Sequence, residues 1–231
     1  MTASETTLTT IAGAALGAAT GALVGLPVVG AIAGGANGAV SGHREIYDWG
    51  SWKGRVAFGL DSTWALLTTT AGLAAHLAAS RQPDAGYSDE LSRRRNRHVY
   101  ARGFLLRKGF AITLGNVVNG AGDLTRPRRA KLVTDHEDVH VWQARWFGPA
   151  YPLLYGGWTV GAAVAATIAW PFVGRRRPWP KFVETCSYYL NPFEWWAYSR
   201  DDHWPPSGKL DGVGWKRPIV RSLTSRRTDP V

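Results

Sequence analysis

The chain carries, at residues 12–42, the stretch AGAALGAATGALVGLPVVGAIAGGANGAVSG, in which glycine recurs at every fourth position in two sets. The sets are Gly13, Gly17, Gly21 and Gly25, and then Gly30, Gly34, Gly38 and Gly42. Four-residue spacing places each set on one face of a helix, where another backbone can approach closely. Because Leu26-Pro27 separates the two sets, the pattern predicts a hairpin of two short helices that breaks at the proline.

This glycine-rich stretch lies in the first of three uncharged segments, which run from Thr6 to Gly42, from Ser62 to Ser80 and from Trp146 to Gly174. The first and third are long enough to cross a hydrocarbon layer of about 30 Å at about 1.5 Å per residue. We therefore expect a membrane-associated protein. Under the positive-inside rule, a hairpin would leave both ends on the cytoplasmic side, whereas a single crossing would leave the N-terminus outside. The membrane face is thus undetermined, and the cytoplasmic side is favoured.

The glycine-rich segment resembles the glycine-zipper segments of membrane-active bacterial proteins. The resemblance implies membrane lipids as partners and a possible homo-oligomer that forms through the glycine faces. The alternative is a flexible leader, because each glycine destabilises an isolated helix by about 1 kcal/mol.

Composition excludes several classes of protein. The chain has 231 residues, a net charge of +10 and 45% hydrophobic residues, so it has ample apolar surface to bury and is not a disordered tail. Its single cysteine, Cys186, excludes an internal disulfide framework and a multi-cysteine zinc ribbon. The basic run Arg93–Arg97 has no aromatic RNA-binding motif or recognition helix beside it, so we expect no nucleic-acid partner.

The remaining sequence predicts a mainly α fold with a small β-hairpin (α+β). Residues 46–80 have the composition of a buried or interfacial helix, and a polar linker follows them. The two runs His98–Leu106 and Phe110–Val118 are rich in residues that favour strands, and the intervening Arg107–Gly109 predicts the turn of a hairpin. The expected organisation is a glycine-zipper membrane segment over 1–45, a helical segment with linker over 46–95, and a metal-site domain over 96–231 that contains the hydrophobic segment 146–174.

Candidate chemistry is concentrated in residues 136–140, which read His-Glu-Asp-Val-His. On a helix, His136 and His140 lie one turn apart on the same face, so both imidazoles can reach one metal ion. Glu137 lies beside them, where its carboxylate can take a proton from metal-bound water. This spacing predicts a Zn²⁺ site with Glu137 as the catalytic base.

The motif is similar to the metal-binding helix of zincin metallopeptidases. Asp138 departs from the pattern, because zincins usually have an uncharged residue between the Glu and the second His. The metzincin extension is absent, since Gln143 and Trp146 stand where that group has Gly and His. A gluzincin-like site would take its third ligand from a second helix, as a Glu that is followed three residues later by a small residue. Glu194 with Ala197 matches this arrangement.

The role of Glu194 has an alternative that the sequence leaves open. Asn191, Pro192 and Glu194 also form a start typical of a capped helix, in which the glutamate bonds back to the helix N-terminus. If Glu194 only caps, a substitute must supply the third ligand. The candidates are Glu184, Asp201, Asp202 and His203, of which His203 is the best zinc ligand.

A metal site shared by these residues would restrict how the segment between them can lie in a membrane. If His136, His140 and Glu194 share one metal, the uncharged segment between them cannot cross the membrane once. It must be a re-entrant hairpin, with Gly156-Gly157 as a possible turn, or a helix at the interface or against the N-terminal segments. In either case we expect Arg175–Arg177 to lie at the lipid headgroups.

Taken together, these features predict a membrane-associated, zinc-dependent hydrolase that acts on peptides. The alternative from another class is a glycine-zipper protein that inserts into membranes or oligomerises, with a structural or vestigial metal site and no catalysis. A third possibility is a metal-binding protein without catalytic activity, which Asp138 favours.

Overall fold

The computed structural model describes residues 3–104, 110–175 and 177–200. The chain divides into two compact units, Met1–Tyr151 and Pro152–Val231. The expected boundaries after residues 45 and 95 both fall inside the first unit. Helices predominate in the described residues, and a three-stranded sheet lies in the first unit, in agreement with the expected mainly α fold with a small β element.

The glycine-rich stretch forms an antiparallel helical hairpin, as its spacing predicts. Helix α1 spans Ala3–Ala22 and helix α2 spans Pro27–His43, with Pro27 in the first turn of α2. The two glycine faces contact each other within the chain. A Cβ atom added at Gly17 would overlap the carbonyl oxygen of Gly30, and one added at Gly34 would overlap that of Gly13. The helices therefore approach so closely that only glycine fits between them.

The segment expected to be one helix over 46–80 is instead two. Helix α3 spans Trp52–Ser62. Ser51 caps its N-terminus, because the Ser51 hydroxyl accepts from the Gly54 N–H at 3.2 Å. Helix α4 spans Leu66–Ser80 and is followed by the short helix α5, Asp89–Ser92. The expectation of a single helix was wrong, because the chain turns at Thr63, whose φ and ψ are −131° and −101°.

The sheet differs from the expected hairpin in both position and topology. Strands β1 (His98–Tyr100), β2 (Ile112–Leu114) and β3 (Val117–Asn119) have the order β1-β3-β2. The hairpin joins β2 to β3, with Leu114 opposite Val117 across the two-residue turn Gly115-Asn116, whereas β1 pairs with β3 in parallel. The prediction of a hairpin between His98–Leu106 and Phe110–Val118 was therefore wrong, and the turn expected at Arg107–Gly109 lies outside the described residues. The turn forms at Gly115 because a φ of +55° suits glycine.

The sheet lies between helices of the first unit. On one face, Tyr100 and Val117 pack with Ala75 and Ala79 of α4. On the opposite face, Val99 and Val118 pack with residues of the helix that carries the histidine motif, Val133 and Val141. This alternation follows the two-residue period of a strand and fixes the histidine helix against the sheet.

The histidine motif lies where a π-helical turn changes to an α-helix. Helix α6 spans Pro127–Lys131, a π-helical segment follows over Leu132–Glu137, and helix α7 spans Asp138–Phe147. Single π-helical turns within helices occur frequently at functional sites.

A buried ion pair holds helix α7 to α3. Arg145 and Asp61 are almost inaccessible to solvent and form two hydrogen bonds of 2.8 Å. The same carboxylate accepts from the Tyr47 hydroxyl at 2.9 Å, and the Asn37 amide of α2 donates to that hydroxyl at 3.1 Å. The helix that carries the histidines is thereby linked to the glycine hairpin through hydrogen-bonded side chains.

The second unit is built on the long helix α8, Ala150–Ala169, which begins two residues before the unit boundary. A π-helical segment (Trp170–Gly174), helix α9 (Trp179–Glu184), a second π-helical segment (Thr185–Tyr189) and helix α10 (Pro192–Arg200) follow.

The chain returns antiparallel to α8. Three hydrogen bonds join α8 to successively later residues: Trp179 to Thr167 at 3.3 Å, Trp158 to the Cys186 carbonyl at 3.4 Å, and Tyr155 to Glu194 at 2.6 Å.

This return corrects the expected position of the re-entrant turn. Helix α8 continues through Gly156-Gly157 without a break, so the suggested turn there was wrong. The reversal lies between Gly174 and Trp179.

Within the described residues, one helix has the length and composition needed to cross a membrane. It spans Ala150–Val173, which includes α8, and 6% of its most apolar window is buried. Several of its large apolar side chains are exposed: Leu153, Leu154, Val160, Val164, Ile168 and Phe172.

Candidate metal centre

The two motif histidines face each other at the start of α7. Their Nε2 atoms lie 3.3 Å apart, and both residues are buried, His136 at 2% and His140 at 6% exposure. Two nitrogens bound to one tetrahedral zinc at about 2.0–2.1 Å are themselves separated by about 3.3–3.4 Å. The separation of the histidine nitrogens therefore matches the edge of a tetrahedral zinc site, and it is also the length of a hydrogen bond between the two rings.

Neighbouring side chains fix the orientation of His140. The Nδ1 atom of His140 lies 2.8 Å from the Gln143 Oε1 atom, which also accepts from the Tyr151 hydroxyl at 3.3 Å. A carbonyl oxygen can only accept, so Nδ1 carries the proton and the lone pair is on Nε2. That tautomer is the one in which Nε2 binds a metal, and hydrogen bonds of this kind commonly orient metal ligands.

Glu137 is buried beside the histidines and is held by the sheet. Its Oε2 atom accepts a hydrogen bond of 2.7 Å from the Thr113 hydroxyl of β2. Strand β2 lies at an edge of the sheet, so its outer side is the position at which an extended peptide backbone can pair. The carboxylate is thus next to both the histidine pair and an edge strand.

Asp138, which departs from the zincin pattern, has a structural partner. Its carboxylate forms an ion pair with Arg97, which is 5% exposed and immediately precedes β1. The residue thereby anchors the first turn of α7 to the sheet. This contact accounts for a charged residue between Glu137 and His140.

Glu194 lies in the second unit, in the first turn of α10, and is buried. Its Oε1 atom accepts a hydrogen bond of 2.6 Å from the Tyr155 hydroxyl of α8. The backbone N–H of Asn191, which would donate to Glu194 in a capping box, donates to the Tyr188 carbonyl at 2.9 Å. The Asn191 side chain does accept from the Phe193 N–H at 3.0 Å, so the asparagine caps the helix.

Of the four substitute ligands, Glu184 alone is among the described residues. Glu184 ends α9 in the second unit, one residue before a π-helical segment. Asp201, Asp202 and His203 lie outside the described residues.

Four residues that support the motif were not identified from the sequence: Arg97, Thr113, Gln143 and Tyr151. Gln143 is one turn from His140 along α7, so its spacing could have indicated a contact. The other three reach the motif through the tertiary fold, and no local spacing marks them.

A second pair of histidines is buried away from this motif. His76 accepts or donates a hydrogen bond of 2.9 Å with Tyr100, and His98 makes one of the same length with Tyr87. Burial lowers the pKa of His76 to about 4 and lowers that of His98 well below its usual value. Both imidazoles are therefore neutral at pH 7.

No family model matches the chain, and no curated protein or solved structure matches it either.

Proposed function

We propose that the protein is a membrane-associated, zinc-dependent hydrolase that acts on peptides, with His136, His140 and Glu194 as metal ligands. The observation that carries the proposal is the 3.3 Å separation of the two histidine Nε2 atoms, which suits zinc. Two imidazole nitrogens and one carboxylate oxygen are ligand types that zinc takes in proteins. Because Glu194 lies in the other unit, its joining the histidine pair is itself part of the proposal.

Glu137 is the proposed catalytic residue. A bound zinc supplies an acidified water and polarises the scissile carbonyl. Glu137 accepts the proton of the attacking water and then delivers it to the leaving amine. The Thr113 hydroxyl holds the carboxylate for this task, and the edge strand β2 offers backbone groups to an extended peptide.

Membrane association rests on the apolar exterior of helix α8 and on the glycine-rich hairpin, which is uncharged from Thr6 to Gly42. One objection to the ligand set is that a single membrane crossing between the histidines and Glu194 would separate them. The chain returns along α8, so the second unit does not require such a crossing. Glu194 is hydrogen bonded to Tyr155, near the start of α8, and Trp179, just after the reversal, contacts Thr167 near its end. A ligand on α10 is therefore compatible with a long apolar helix between it and the histidines.

Metal content tests the proposal. The detergent-purified chain should hold one zinc by mass spectrometry, and His140→Ala and Glu194→Ala should each lose it. His43→Ala and Glu90→Ala, which change exposed residues of the same types, are the matched controls and should keep it. Zinc that persists in Glu194→Ala but not in His140→Ala would remove Glu194 from the ligand set.

Peptide hydrolysis tests the catalytic assignment separately. Glu137→Gln should retain zinc and lose hydrolysis, because the amide cannot accept the proton of water. Hydrolysis that survives this change would show that Glu137 is not the base.

The alternative function is membrane insertion by the glycine-rich hairpin without catalysis. The hairpin observed in α1 and α2 favours this candidate, which predicts that chelators leave all membrane effects unchanged. A chain without zinc that still acts on vesicles would support it over the hydrolase. A metal-binding protein without activity would instead hold zinc and hydrolyse nothing.

A further inference from the structure

The closed end of the glycine hairpin is apolar and fully open to its surroundings. All eight residues from Ala22 to Val29 are exposed, and none of them carries a polar side chain. Leu23 is 87% exposed, Val24 73% and Val28 68%. Soluble proteins seldom present such a continuous apolar surface to water unless something covers it.

Four backbone N–H groups at this end are hydrogen bonded within the chain. The N–H groups of Leu23, Val24 and Gly25 donate to carbonyls three residues earlier, at 3.1–3.2 Å. The N–H of Leu26 donates to the Gly21 carbonyl at 2.8 Å, and Pro27 has no N–H to satisfy. Each of these bonds lowers the cost of placing the segment in hydrocarbon, where an unsatisfied backbone group is costly.

The open end of the hairpin differs in having a charged contact. Glu5 is the one charged residue of α1, and its carboxylate binds the Arg94 guanidinium through two hydrogen bonds of 2.7 Å. The Trp49 indole donates to the same carboxylate at 2.9 Å. The hairpin thus has a charged contact where it joins the rest of the unit, beside the exposed Leu8, and has none where it projects.

The depth of the projection follows from the packing of α1. Ala12 and Leu16 pack against a buried cluster that contains Tyr47 and Phe58. Leu23 lies seven positions after Leu16, which corresponds to about 10 Å at about 1.5 Å per residue. One leaflet contributes about half of the roughly 30 Å hydrocarbon core.

We infer that the hairpin tip, residues 22–29, inserts into the hydrocarbon of one membrane leaflet and does not cross the bilayer. Insertion covers the exposed leucines and valines, and the polar open end stays in the headgroup region or in water. The inference deepens the membrane association in the proposed function by naming the segment that enters the lipid. It does not depend on the metal site.

Depth-dependent quenching tests the inference on the full chain. Leu26→Cys, in a Cys186→Ser background, carries an environment-sensitive fluorophore, and the chain is reconstituted into vesicles of phosphatidylcholine and phosphatidylglycerol. Quenchers attached to the upper part of the acyl chains should quench this label strongly, and aqueous iodide should not reach it. The matched label at Leu8→Cys, which is exposed near the open end of α1, should remain accessible to iodide.

Three outcomes would overturn the inference. Iodide that quenches Leu26→Cys as well as Leu8→Cys would show that the tip is in water. A label that responds to iodide trapped on the far side of the vesicle would show that the hairpin crosses. Protection from both iodide and lipid quenchers, with energy transfer between labelled chains, would show that a second copy covers the tip.

A variant with two added charges tests whether the fluorophore alone causes the protection of the Leu26 label. Leu23→Asp with Val28→Asp should raise iodide quenching of the Leu26 label several-fold, because carboxylates are costly in hydrocarbon. Leu77→Asp changes an exposed leucine of α4 and should leave that quenching unchanged. A Leu26 label that stays protected in the double variant contradicts the inference. Zinc content measured on the same samples shows separately whether the hydrolase proposal holds.

Discussion

Replacement of Gly17 by alanine is the sharpest test of how the hairpin packs. The new Cβ would lie closer than 3.0 Å to the Gly30 carbonyl oxygen, a distance that real Cβ atoms essentially never show. The obstructing atom belongs to the backbone of α2, so no side chain can rotate away. The two helices must therefore separate along their line of contact.

The expected loss of stability combines two opposing effects. Alanine favours a helix interior over glycine by about 1 kcal/mol. Overpacking of a tight contact costs about 1–3 kcal/mol, and an overlap between backbone atoms belongs at the upper end of that range. We expect Gly17→Ala to lower the free energy of unfolding by about 2 kcal/mol.

Gly59→Ala is the matched control. Gly59 lies within α3 and has nothing within 4 Å of an added Cβ, so alanine should stabilise the chain by up to about 1 kcal/mol. Urea unfolding in detergent, followed by far-UV circular dichroism, measures both variants. If Gly17→Ala proves as stable as Gly59→Ala, the glycine faces are not in contact and the description of the hairpin is wrong.

Three further predictions follow from buried or positioned side chains. Asp61→Asn should reduce the free energy of unfolding by about 3–5 kcal/mol in urea titrations, because it leaves the buried Arg145 guanidinium without its counter-charge. The melting temperature should fall between pH 7.5 and pH 5, and fall less in His98→Gln: burial lowers the pKa of His98 in the fold, so the unfolded chain takes up the proton first as the pH drops below about 6.5. Thr113→Val should keep zinc but slow peptide hydrolysis by about tenfold, because Glu137 loses the hydrogen bond that holds its carboxylate in position.

The local sequence pattern was sufficient to predict the glycine hairpin and to place the two motif histidines on one helical face. In both cases residues four positions apart must share one helical face, and Pro27 marks the break between the two helices. The same reasoning misplaced the β-hairpin, because Arg107–Gly109 has the composition of a turn. Gly115-Asn116 carried the correct signal, since a glycine followed by asparagine between two strands is typical of a two-residue hairpin loop.

Contacts between distant segments could not be predicted in this way. The parallel pairing of β1 with β3 joins residues 98–100 to 117–119, although β2 lies between them in the sequence. Side-chain composition does not specify that pairing or its register. The ion pair between Arg97 and Asp138 and the hydrogen bond from Thr113 to Glu137 depend on how the sheet packs against α7. The sequence alone therefore gives no reason for the charge at Asp138, whereas the structure gives one in Arg97.

The closed glycine faces also determine how two copies of this chain could associate through them. Each face is occupied by the other face of its own hairpin, so a second chain can reach it only by domain swapping. The hairpin would have to open at its turn, where Gly25 has a φ of +75°, and α1 of one chain would replace α1 of the other. Such exchange requires breaking the tightest helix contact in the first unit before a new one forms. A dimer of this kind would appear slowly, depend on protein concentration and persist after dilution.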